Sequence, residues 1–245
     1  MMKKQFKILL LISLVHFSAE IRAYTDQLDG LLASHVQAVN IDDIKYNGVN
    51  YDAWNNDPRH AEVLKSILET DPATLKTRDE QLAFWINAYN VLTIDLITKE
   101  NESESIKNLG GFFSSPWKKF EWTIAGKSYT LDEIEHEIIR PMGEARIHFA
   151  INCAAKSCPD LRSESYRADK LESQLEEQTR LTFENQSKGL KFDDNQVTLT
   201  KVMDWFKEDF NDGDLRMWLK NYFPNKINDQ TSIRFFDYDW SLNKQ

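Results

Sequence analysis

Apolar positions recur at helical spacing along much of this chain. Between 24 and 40, Leu28, Leu31, Leu32, His35, Val36 and Val39 fall on one side of a 3.6-residue repeat, which predicts an amphipathic helix. Residues 47–51, Asn-Gly-Val-Asn-Tyr, read as a turn followed by a short extended piece. Residues 61–68 are helical again, and Asp71-Pro72 stops them. The longest helix is expected over 78–100, where Leu82, Phe84, Trp85, Ala88, Tyr89, Leu92, Ile94, Leu96 and Ile97 leave no polar stripe between 83 and 97. A helix apolar nearly all round belongs inside a core rather than on its surface.

The pattern shortens after residue 108. The stretch 108–117 is rich in glycine and aromatic residues, a loop with packing anchors. A hairpin is predicted over 121–129 with Ala125-Gly126 at its turn, then a helix over 130–140 that Thr130 caps with Glu133 completing a capping box. Residues 147–151, Ile-His-Phe-Ala-Ile, are apolar and too short for a stand-alone helix, so they read as a buried strand ending at Cys153. Pro159 after Cys158 then reads as the first position of the next helix. Further on come a helix over 168–184, a hairpin over 190–200, short helices over 200–210 and 215–223, a closing strand over 233–236 and an aromatic tail, 238–243, expected to dock. These elements define an α+β fold class: a helix-rich single domain, 24–245, with a small mainly antiparallel sheet.

The chemistry gathers in 146–161, which holds both cysteines, His148 and Ser157. Cys153 and Cys158 admit three readings. They are a disulfide or buried thiols; a nucleophilic thiol with His148 as base and His136 or an asparagine orienting it; or, with His148 and His136, a zinc site. A thiol at a helix start would face the positive end of that helix, which favours thiolate. The zinc spacings match no usual ligand pattern, so neither metal nor cofactor is expected. Residues 209–214 are acidic enough for calcium but fail the calcium-loop pattern. His136 and Arg140 share a helix face, where they line a cleft or lace a surface with charge pairs. Asn87 and Asn90 sit on one face of the most apolar helix; their amides either pin a neighbouring loop or help to bind substrate.

Lys3, Lys4 and Lys7 precede the apolar run 8–17, with a small residue at Ala23. That is the pattern of a signal peptide over 1–23, so export to the periplasm or the exterior is expected; an uncleaved anchor is the competing reading. No later run reaches the roughly 18 apolar residues of a membrane span. Removing residues 1–23, with Lys3, Lys4, Lys7 and Arg22 against Glu20, takes the formal net charge from −9 to −12. Such an acidic chain lacks the basic footprint of a nucleic-acid or anionic-membrane binder and leaves small molecules, peptides and sugars as ligands.

Phe84-Trp-Ile-Asn-Ala-Tyr-Asn90, Leu131-Asp-Glu-Ile-Glu-His136 with Arg140, the 146–161 stretch and Tyr238-Asp-Trp-Ser-Leu-Asn243 together resemble the domain-of-unknown-function family numbered 547, over roughly 46–243. The resemblance implies a domain and no particular reaction. Two functions remain from the residues themselves. One is an exported thiol-dependent hydrolase or acyl transferase using Cys158 or Cys153 with His148 and His136. The other is a non-enzymatic ligand-binding or adaptor domain with a Cys153–Cys158 bridge.

Overall fold

The structure, a computed structural model, describes residues 24–112 and 114–245; the signal-peptide expectation for 1–23 lies outside the described residues. Its centre is helix α4, Arg78–Lys99. Thr77 and Glu80 close a reciprocal capping box at its start, and every residue from Leu82 to Ile97 is buried, as its unbroken apolar circumference requires. Around it pack α1 (24–35), α2 (Tyr51–Asn56) and α3 (Pro58–Glu69). The hairpin β3 (Glu121–Ile124) and β4 (Lys127–Thr130) packs there too. Ala125 and Gly126 both take positive φ at its tip, the turn the sequence called for.

The first helix ends sooner than its apolar spacing implies. Val36–Ile41 leaves it as strand β1 and pairs with β2, Ile44–Val49, through a turn at Asp42-Asp43 in which both residues have positive φ. The β-branched Val36, Val39 and Ile41 favour that strand, and aspartate tolerates the left-handed turn. The expected turn at 47–51 is therefore the end of β2 and the start of α2.

Helix α5 (Pro116–Lys119) and helix α6 (Leu131–Glu133) follow, the latter capped by Thr130 with Glu133 as expected. It runs on as a π turn over Ile134–Ile139 and closes at Arg140–Met142, where Pro141 removes an N–H and Gly143 provides a left-handed cap. Helix α7 is Leu171–Glu184. Strands β5 (Leu190–Asp193) and β6 (Gln196–Leu199) pair antiparallel, and β7 (Ser232–Phe235) joins β6 in parallel after α8 (Val202–Trp205) and α9 (Leu215–Lys220). The result is a helix-rich α+β domain with small, mainly antiparallel sheets.

Two expectations around the cysteines fail for physical reasons. Residues 147–151 are not a strand: Ala145–Phe149 is a 3₁₀ turn. In a strand Ile147, Phe149 and Ile151 would share a face. Here Ile147, Ala150 and Ile151 enter the core around α4, while Phe149 enters a second core of Phe183, Val197, Phe210 and Leu219. That is helical spacing, and it leaves His148 at the junction of the two cores. Nor does a helix begin at Pro159, since the next helix is α7. Four successive carbonyls are taken by side chains instead: Cys158 by Lys188, Pro159 by Asn152, Asp160 by Gln178 and Leu161 by Asn47. The helix-end argument for a thiolate at Cys158 falls with that helix.

The amides of α4 hold this irregular segment in place. Asn90 donates to the Ala150 carbonyl at 3.0 Å and accepts from the Asn152 N–H at 2.8 Å. Asn87 grips the N–H and carbonyl of Tyr166 in the same way, at 2.8 Å each. Asn90→Ala is expected to strand a buried donor and a buried acceptor and to cost about 2 to 5 kcal/mol in urea unfolding, against about 1 kcal/mol for an ordinary substitution. A loss below about 1 kcal/mol would show that the segment holds its shape without Asn90.

Candidate functional site

Residues 150–158 form a pinned loop that presents two sulfurs. Ala154 sits in the left-handed region at φ 58°, a strained conformation for a residue with a Cβ, and its N–H is held by the Asn152 side chain at 2.9 Å. The loop thereby turns back on itself, so that the Cys153 N–H donates to Cys158 Sγ at 3.0 Å and the two sulfurs lie 2.7 Å apart. Tyr238, from the docked tail, brings its hydroxyl to 3.0 Å from Cys153 Sγ. The tail is fastened by Val49 N–H to Asn243 O at 2.8 Å and by Lys156 N–H to Ser241 O at 2.8 Å.

The two thiols are unequal. Burial pushes Cys153 well up, and hydrogen bonding to Cys158 adds to this. Burial would also raise Cys158, but hydrogen bonds from the Cys153 thiol, the Cys153 N–H and Tyr238, with the charge of Lys188 nearby, hold it below its ordinary value. Of the pair, Cys158 is the sulfur better stabilised as a thiolate, and Cys153 is placed as its donor. Lys188 is itself buried and donates to the Lys156 and Cys158 carbonyls and to Asp160 at 2.6–2.9 Å.

His148 is buried at 2 % exposure. Its Nε2 meets Asp209 Oδ2 at 2.7 Å, and its ring stacks on Phe206 at 4.1 Å between centroids. Burial lowers its pKa in spite of Asp209, so the neutral ring donates through Nε2 and leaves Nδ1 bare; Nδ1 has no hydrogen-bond partner. Asp209 also receives a two-pronged bond from Arg140, Nε at 2.7 Å and Nη2 at 2.8 Å, and these partners hold its carboxyl far below the usual range. Arg140 Nη1 donates to His136 Nδ1 at 3.0 Å, since a guanidinium has no acceptor to offer.

A cavity of about 190 Å³ joins these groups. Cys153, Cys158, His136 and His148 all line it, together with Glu135, Asp132, Ser115, Tyr89, and the rings of Trp117, Trp205, Phe206 and Trp240. The side chains singled out in the sequence therefore converge, with Arg140 behind them. No hydrogen bond links His148 to either sulfur, whose phenolic partner is Tyr238. Asn87 and Asn90, considered above as substrate contacts, are absent from the wall and spend their amides on backbone. Among the described residues no cluster of three or more His, Cys, Asp or Glu is arranged to hold a metal ion, and no helix is long and apolar enough to cross a membrane.

Sequence reading missed Glu135, Asp209 and Tyr238. Glu135 was legible only as half of a charged helix face, yet it is 8 % exposed and accepts from the Tyr89 hydroxyl at 3.1 Å. Burial raises its carboxyl to about 7, against the lowering effects of Tyr89 and Arg140.

The site thus belongs to a helix-rich α+β domain in which a buried thiol pair and a carboxylate-bound histidine face one aromatic cavity. Residues 72–181 match the family described as "Protein of unknown function, DUF547". The match takes in α4, Glu135, His136, Arg140, His148 and both cysteines, and it ends before Asp209 and Tyr238. No curated protein and no solved structure matches the chain.

Because Glu135 titrates near 7 when folded and near 4.5 when unfolded, the folded protein holds a proton in that window that the unfolded chain releases. Its contribution to stability is therefore complete below about pH 4.5 and is lost as pH rises through about 7. Glu135→Gln removes this dependence. The stability of the variant relative to the parent is expected to rise by about 3 kcal/mol between pH 4 and pH 8 in chemical unfolding. A difference that stays flat with pH would contradict the assignment.

Proposed function

We propose that this is a thiol-dependent acyl-transfer enzyme, a hydrolase or acyl transferase, with Cys158 as nucleophile and His148 as base. The supporting observation is the bare Nδ1 of an imidazole that Asp209 fixes through its other nitrogen, in a ring lining the same cavity as Cys158. In this reading the proton of the thiol pair passes to His148 Nδ1 as the sulfur adds to an acyl carbonyl carbon. The imidazolium returns that proton to the leaving group as the old acyl bond breaks, leaving a thioester on Cys158. His148 then takes a proton from water or from an acceptor, which attacks the thioester, and the imidazolium returns that proton to the thiol pair as Cys158 is freed. The missing contact between His148 and sulfur would close in the substrate complex, as catalytic hydrogen bonds tighten on binding. Glu135, near neutrality, supplies a second proton donor and acceptor in the wall. Export through a signal peptide at 1–23 is part of the same proposal.

A second reading draws on the contact between the two sulfurs. In an oxidising compartment the pair would close to a disulfide, and the domain would bind a ligand or partner without catalysis. Titration of free thiols in the exported protein separates the two readings, with two reactive thiols under the first and none under the second.

Acylation by p-nitrophenyl acetate tests the first reading directly. A stoichiometric burst of nitrophenolate is expected, with the acetyl group mapping to Cys158 by peptide mass analysis. Cys158→Ser should abolish the burst, and His148→Ala should slow it by about 10²-fold or more. The double variant should be no slower than Cys158→Ser alone, because residues acting as one unit lose nearly everything with the first change. Acetylation confined to surface lysines, unchanged in Cys158→Ser, would refute the catalytic reading.

A further inference from the structure

We infer that the cavity takes the cationic end of an amine, received by the rings of Trp117, Trp205 and Trp240 and by the carboxylates of Asp132 and Glu135. This deepens the acyl-transfer reading by naming the chemical class of one substrate, and binding can be measured without turnover.

The lining carries the argument. Among the described residues its charged groups are Asp132 and Glu135, and no lysine or arginine lines it. Both wall histidines are held below their ordinary pKa by burial, so neither brings a positive charge at neutral pH. The one arginine nearby, Arg140, is committed to Asp209 and His136. An anionic substrate would be repelled by two carboxylates, of which Asp132 has the largely exposed Lys118 as its cation, whereas an ammonium group would neutralise them.

Asp132 is held only by long ion pairs, with no hydrogen bond to its carboxylate among the described residues. His136 Nε2 stands 3.7 Å from it and Lys118 Nζ 3.6 Å, both too far for a hydrogen bond, and Lys118 is largely exposed and free to give way. The aromatic walls suit the same guest, because a tryptophan face attracts cations. Trp205 stacks on Trp240 at 5.6 Å, and Trp117 meets Trp240 edge-on at 5.7 Å. Trp240 already holds one ammonium, that of Lys107, at 5.0 Å from its centroid. The space of about 190 Å³ is enough for one aromatic ring with a short amine, since about 150 Å³ accommodates benzene.

The experiment titrates the full chain with benzylammonium, benzyl alcohol and benzoate at constant ionic strength and pH 8, following tryptophan fluorescence. Benzylammonium is expected to bind about tenfold or more tightly than benzyl alcohol, with benzoate weakest. Asp132→Asn should reduce benzylammonium affinity by about tenfold and leave benzyl alcohol unchanged, which also controls for folding. Lys118→Ala, which removes the competing cation, should tighten benzylammonium. Equal binding of the three probes, tightest binding of benzoate, or no saturable binding of benzylammonium would overturn the inference. Ammonium selectivity without acylation of Cys158 would refute the catalytic reading alone, and acylation without that selectivity would refute this one alone.

Discussion

The carboxylate of Asp209 is the constraint on which the site depends. It accepts two bonds from Arg140 and one from His148, and Arg140 passes on to His136, so one group ties the turn of His136 and Arg140 to the turn of His148. A carboxylate between a guanidinium and an imidazole is strongly stabilised as an anion. In return it fixes which nitrogen of His148 carries the proton. Stacking on Phe206 holds the ring plane, so neither the tautomer nor the orientation of His148 is left to chance.

The thiol pair is positioned by a different device, a loop whose polar groups are nearly all spoken for. Asn90 grips the backbone before the cysteines, while Lys188, Asn152, Gln178 and Asn47 take the carbonyls from Cys158 onward. Such a network is costly to disturb, because each lost partner leaves a buried group unmatched. It also explains how the loop tolerates the left-handed backbone of Ala154. The two sulfurs and the imidazole therefore rest on separate supports, the loop and the Asp209 ion cluster, and line one cavity.

Much of the scaffold was legible because its signals are local. The capping boxes at Thr77 and Thr130, the Ala125-Gly126 turn and the all-round apolar character of 83–97 each lie within a few residues of the feature they specify. Cys153, Cys158, His148, His136 and Arg140 could be picked out for the same reason, since all lie between 136 and 158. Segment 147–151 misleads because five apolar residues fit either period, and only the division between two cores decides for the helical one. Asp209 lies 61 residues from His148 and Tyr238 lies 85 from Cys153, distances at which a single sequence holds no pairing signal. Glu135 was hidden by its own charge: an acidic residue in a helix reads as solvent-facing unless its burial is known.

The catalytic reading requires that Asp209 hold His148 neutral, with its proton on Nε2 and Nδ1 unprotonated. Nitrogen NMR of ¹⁵N-histidine-labelled protein at neutral pH reads this directly. The account predicts one protonated nitrogen, Nε2, and one bare nitrogen, Nδ1, with the proton losing its fixed position in Asp209→Asn. A proton on Nδ1, or a doubly protonated His148 at neutral pH, would contradict it.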